Sequence, residues 1–262
     1  MTTSIHGEYM VPRRLVSSFL ECKVKIEAPS QPEWPEDSTE VFTANIFPGI
    51  WRGCYNIQNL GFRPPVMGNA RTAVQLLHQN GTDIEAKCKS GETVLHCAAR
   101  YGYTDIVQHL LELGADSNVA KKDGLPPLYP VAEDGHVAIT KSLIENGTAN
   151  VNAGSDSGWK PLHVAAGEGY QGVVEVLVEN GTNVGAQSAL YFMPLLVATT
   201  SGELEAVKLL LEYGASLELR TKDGKMALHV AAGGRRKIFD LLVEMGANAN
   251  AKDNDDLTPS LI

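Results

Sequence analysis

Between Gly91 and Asp116 (GETVLHCAARYGYTDIVQHLLELGAD), apolar residues fall at helical spacing in two short runs parted by a glycine. Leu95, Ala98 and Ala99 share a face of the first run, and Ile106, Val107, Leu110 and Leu111 form a stripe along the second. Thr93 stands where a hydroxyl can accept from an unpaired first-turn N–H. Gly102 breaks the first helix, and Asp105 opens the second with negative charge near the positive end of its dipole. Gly114 ends it where a left-handed residue is wanted. The pattern predicts a helix–turn–helix unit. Neither helix is long enough to hold alone, so the unit needs neighbours.

The neighbours are in the chain. The stop glycine recurs at Gly81, Gly114, Gly147, Gly181, Gly214 and Gly246, at intervals of 33, 33, 34, 33 and 32. Four residues before each lies Leu77, Leu110, Leu143, Leu177, Leu210 or Leu242. The first helix returns as TVLHCAA (93–99), PPLYPVA (126–132), KPLHVAA (160–166), MPLLVAT (193–199) and MALHVAA (226–232). Helix pairs are expected near 93–101/104–112, 127–133/138–145, 161–167/172–179, 194–201/204–212 and 227–232/237–244. Two anchor sets in one register over five copies resemble the ankyrin repeat. The resemblance runs from about Ala70 to the C-terminus and implies an all-α solenoid of stacked helix–turn–helix units with β-turn fingers, preceded by an irregular N-terminal segment. It also implies a role in binding other proteins. The reading divides the chain into an irregular segment, 1–67, and an array, 68–262. The array comprises a half repeat (68–87), repeats 88–120, 121–154, 155–187, 188–220 and 221–252, and a truncated repeat (253–262).

Departures from the repeat carry expectations of their own. In 1–67, prolines break long elements, while Phe42, Phe47, Trp51 and Tyr55 are too aromatic for a simple disordered tail. A cap on the first repeat and a remnant of another domain are both compatible with that composition. Pro130 lies inside a first helix, which is expected to be distorted or shortened. Tyr191 stands where the other fingers have Gly91, Gly124, Gly158 and Gly224, a strained choice if those glycines take positive φ. Gly233-Gly234-Arg235-Arg236 is one residue short, which predicts a tightened inter-helix turn. The last second helix, 237–245, is expected to have little packed behind it.

Composition narrows the function. The chain carries a formal charge of −9; residues 1–66 hold six basic and seven acidic side chains, leaving 16 basic against 24 acidic in the repeats. Such a surface repels phosphate backbones, so no nucleic acid is expected. It favours a protein partner with a basic or amphipathic segment. No apolar run approaches 18 residues, so no membrane span is expected. The four cysteines show no CxxC spacing, and a reduced cytoplasmic or nuclear setting is expected, with the protein a monomer. No nucleophile elbow, P-loop, HExxH or dinucleotide fingerprint occurs, so neither enzyme activity nor a cofactor or metal is expected. Cys88, His96 and Cys97 lie close in sequence, but His96 and Cys97 point about 100° apart on a helix and cannot converge as ligands. The resemblance implies instead that His96, His163 and His229 hold the turns by hydrogen bonds.

One column stands out. The residue after the finger glycine is Glu92, Leu125, Trp159, Phe192 or Lys225, and the resemblance implies that this column faces the concave groove. Leu125, Trp159 and Phe192, with Leu190 and Tyr191 beside them, form an apolar stripe of the kind binding hot spots use. Trp159 and Phe192 are expected about 10 Å apart, one helix layer from each other. By the same resemblance Glu133, Asp134 and Glu168 flank the stripe with acid. The reading is a scaffold or adaptor that binds a partner through groove and fingers. The alternative is the repeat part of a larger regulatory or enzymatic protein.

Overall fold

The structure is a computed structural model; it describes residues 71, 74, 75, 78, 79 and 83–259. Among the described residues from 83 onward, five helix pairs follow one another. They are α1 (Val94–Arg100) with α2 (Thr104–Glu112), α3 (Leu128–Asp134) with α4 (Val137–Glu145), and α5 (Pro161–Gly167) with α6 (Gln171–Glu179). Then come α7 (Pro194–Ser201) with α8 (Leu204–Glu212), and α9 (Ala227–Ala232) with α10 (Arg236–Glu244). Every expected boundary lies within one residue of the observed one. First helices pack in one row and second helices in another, and no strand occurs among the described residues.

The core lies between the rows. Leu110, Leu143, Leu177, Leu210 and Leu242 are fully buried, as are Ala98, Ala99, Ala132, Ala165, Ala166 and Ala198 of the first helices. Leu77 and the segment 1–67 lie outside the described residues. His78, in a helical position, is exposed, so water can satisfy its ring. In α10 the outer face is uncovered: Val243 is 43% and Met245 50% exposed. Phe239 is half-buried where its counterparts Val107, Thr140, Val174 and Val207 are fully buried.

Three expectations need correction. Helix α3 is neither distorted nor shortened: its seven residues match α1 and α5. Pro130 is its third residue, and the first four N–H groups of a helix have no intrahelical acceptor, so no bond is lost. The turn at Gly233 is not tightened. It keeps residues 233–235, matching 101–103, and the missing residue comes out of α9, which has six. Gly147 does not take the left-handed geometry of Gly114, Gly181, Gly214 and Gly246. Thr148 takes it instead (φ 55°), beside the extra residue of that repeat.

Candidate protein-interaction surface

Each finger is a tight turn. In the fourth, the Ser188 N–H donates to the Phe192 carbonyl at 2.9 Å and the Tyr191 N–H to the Ser188 carbonyl at 2.9 Å. The penultimate residue must be left-handed: Gly91, Gly124, Gly158 and Gly224 have φ of 81°, 79°, 80° and 77°. Tyr191 sits there at 60°, so the strain expected from sequence is present.

Two of the three expected histidines fasten one finger to the next; the third, His229, caps its helix through the Met226 N–H at 3.2 Å, but its Nε2 makes no bond. His96 Nδ1 accepts from the Thr93 N–H (3.2 Å), which caps α1 and leaves the proton on Nε2 to be donated to the Leu125 carbonyl (3.2 Å). His163 does the same between the Lys160 N–H (3.1 Å) and the Phe192 carbonyl (3.0 Å). Burial holds both imidazoles neutral, lowering each pKa from 6.5 to about 4 against the opposing pull of the carbonyl bond. Both ring nitrogens are committed to backbone groups, so these histidines serve the stack.

The structure sorts the expected groove column. Glu92 is buried and held by Arg100, by Lys121 at 3.9 Å and by the Ser90 hydroxyl at 3.1 Å. Leu125, Trp159 and Phe192 are half-buried. The Trp159 and Phe192 ring centroids are 6.3 Å apart, closer than the expected helix-layer spacing. The reason is His163: it pins the Phe192 carbonyl while the Trp159 ring leans on its imidazole at 5.4 Å. Leu190, 63% exposed, and Tyr191, 49% exposed, form the open part of the stripe at the tip of the fourth finger.

The three acidic residues expected to flank the stripe lie at two helix ends. Glu133 and Asp134 close α3, and Glu168 caps α5. Burial, followed by the charge of Asp134, pushes the Glu133 carboxyl above its ordinary range; Glu168 adds to this, while Arg100 and Lys121 oppose it. Helix C-termini already carry partial negative charge, and α3 has no basic residue in its last turn. Sequence reasoning missed Tyr101, which is 45% exposed and occupies the same repeat position as Asp134 and Glu168. Its column was the signal that could have found it.

Comparison with known proteins agrees with this geometry. A family model described as ankyrin repeats (3 copies) matches residues 66–121, 113–188 and 190–253. A protein named dynein axonemal heavy chain 12 from Bos taurus is 33% identical over 190 residues, covering 68% of this chain and 51% of its own. The transient receptor potential cation channel subfamily A member 1 homolog of Caenorhabditis elegans is 29% identical over 187 residues, 71% of this chain and 13% of that one. The chain thus spans from about an eighth to about half of the length of these relatives. The ankyrin repeat domain of Bcl-3, titled a member of the IkappaB protein family, superposes with a TM-score of 0.69 at 24% identity. The match covers 83% of this chain and 92% of that one, and shows a shared fold. No helix among the described residues is long and apolar enough to cross a membrane. Ankyrin repeats generally mediate protein–protein interaction, and the fold is typically a non-enzymatic module. With matches running through most of its length, the chain belongs to the ankyrin-repeat family.

Proposed function

We propose that the array binds a segment of another protein through the apolar tip Leu190–Tyr191, backed by Trp159, Phe192 and Leu125 and flanked by Glu133, Asp134 and Glu168. The observation that carries this is Tyr191. It keeps a left-handed backbone that costs a non-glycine residue about 1–2 kcal/mol, yet its side chain is half exposed and gives the core little in return. Strain retained with no packing gain points to a surface role. The like-charged carboxylates at two helix C-termini are a second local cost, relieved by a cationic side chain from a partner. The fitting segment is therefore basic on one face and apolar on the other.

Tyr191→Gly separates function from stability. Glycine removes the strain, offset by its greater freedom when unfolded, so stability is expected to stay level or rise by up to about 1 kcal/mol. Capture of the partner in an unbiased pull-down is expected to fall, more so with Leu190→Ser added. Undiminished capture by the well-folded double variant would move the contact elsewhere. Trp159→Ala/Phe192→Ala is a weaker test, because both rings also support the stack.

A second reading, the array as the recognition part of a larger protein, is favoured by the small share of the channel homolog that the chain spans. A transcript with an open reading frame extending beyond the 262 codons would support it.

A further inference from the structure

We propose that the array is built of repeat pairs clamped at the finger edge, with a hinge in that edge between the second and third repeats and another between the fourth and fifth. Backbone bonds between neighbouring fingers show the alternation. The N–H groups of Lys122, Ala189 and Asn254 donate to the carbonyls of Ser90 (3.1 Å), Ser157 (2.8 Å) and Asp223 (3.0 Å) in the finger before. These bonds cross the joints between fingers 1 and 2, 3 and 4, and 5 and 6. The corresponding pairs at the other two joints, Asp156 with Asp123 and Lys222 with Leu190, make no such bond.

Over the first four joints the histidine column alternates in the same phase; at joint 5–6 His229 accepts from the Met226 N–H at 3.2 Å, but its Nε2 makes no bond, so only the backbone tie is made there. His96 and His163 reach across joints 1–2 and 3–4. Their counterparts at joints 2–3 and 4–5 are Tyr129 and Leu196, and a leucine side chain has no donor to offer. Two independent kinds of tie are thus present together or missing together at these four joints. The polar ties that do cross the two open joints lie away from the finger turns. Asn152 accepts from the Asn183 N–H at 3.0 Å, and Arg235 donates to the Thr200 carbonyl at 2.8 Å. The helices stay stacked while the finger turns are free to splay. Fingers 3 and 4, which carry Trp159, Leu190, Tyr191 and Phe192, move as one block, and the groove widens or narrows on either side of it. This mechanical inference holds whether or not the groove is the binding surface.

Amide hydrogen exchange of the full chain, read at single residues as protection factors, tests it. Asp156 and Lys222 are expected to be about tenfold less protected than Lys122 and Ala189, the effect of one hydrogen bond in a local opening. Leu196→His supplies the missing clamp. Its Nδ1 can take the Met193 N–H, and its Nε2 can reach the Lys225 carbonyl, 29 residues on, as His96 reaches Leu125 and His163 reaches Phe192. It should raise Lys222 protection about tenfold. His163→Leu should lower Ala189 to the level of Lys222. Equal protection of all four amides in the native chain would overturn the proposal. So would a folded Leu196→His that leaves Lys222 unchanged. If Leu196→His does not fold, the native contrast and His163→Leu decide.

Discussion

His96 and His163 show how a single side chain can set both geometry and a pH response. Their folded pKa values lie near 4, below the ordinary 6.5. Between those values the unfolded chain takes up protons that the folded chain refuses. The stabilising contribution is therefore complete above about pH 6.5 and is lost as pH falls toward 4. Each histidine accounts for up to about 3 kcal/mol of this loss. Urea denaturation at a series of pH values should show the midpoint falling through that window, with a smaller fall for His163→Leu. A flat profile would contradict the neutral clamp. Tyr191 makes the complementary point: its backbone cost was legible as tyrosine in a glycine column, whereas its exposure depended on how the finger sits.

At the scale of the element, stability comes from apolar stripes buried between rows of short helices. Leu177, central in α6, is enclosed on both sides by neighbouring repeats, and Leu177→Ala is expected to cost about 2–5 kcal/mol. Leu242 is equally buried, but it lies on α10, whose outer face leaves Val243 and Met245 open. That helix can relax around a cavity, so Leu242→Ala should cost less. Equal losses on urea denaturation would contradict this placement. Element boundaries were legible because caps, glycines and stripes agree. The effects of Pro130 and of the residue missing near Gly233 were not, because each depends on a one-residue shift of a helix end.

At the scale of the whole molecule, the proposed binding surface carries its acidic residues on a chain of formal charge −9. A basic partner should associate faster at low ionic strength, since the screening length is about 10 Å at 0.1 M salt and shortens above it. Stopped-flow measurement with the captured partner should show the on-rate falling as salt rises. Glu133→Gln/Asp134→Asn/Glu168→Gln should flatten that dependence while leaving the apolar contact. A steep dependence unchanged in the triple variant would place the electrostatic contact elsewhere.

The sequence by itself determined the repeat, the helix pairs, the buried leucines and the strained finger at Tyr191. Each of these rests on local spacing or on backbone chemistry that one residue type imposes. Only the tertiary structure decided which members of the groove column are available. Glu92 is consumed by Arg100 and Lys121, and Trp159 and Phe192 lean together around His163, while Leu190 and Tyr191 remain open. Glu92 with Lys121, and Trp159 with Phe192, are pairs about 30 positions apart in the chain, brought together by stacking. A periodic sequence marks equivalent positions, but the neighbours that stacking supplies at each position settle how alike they become.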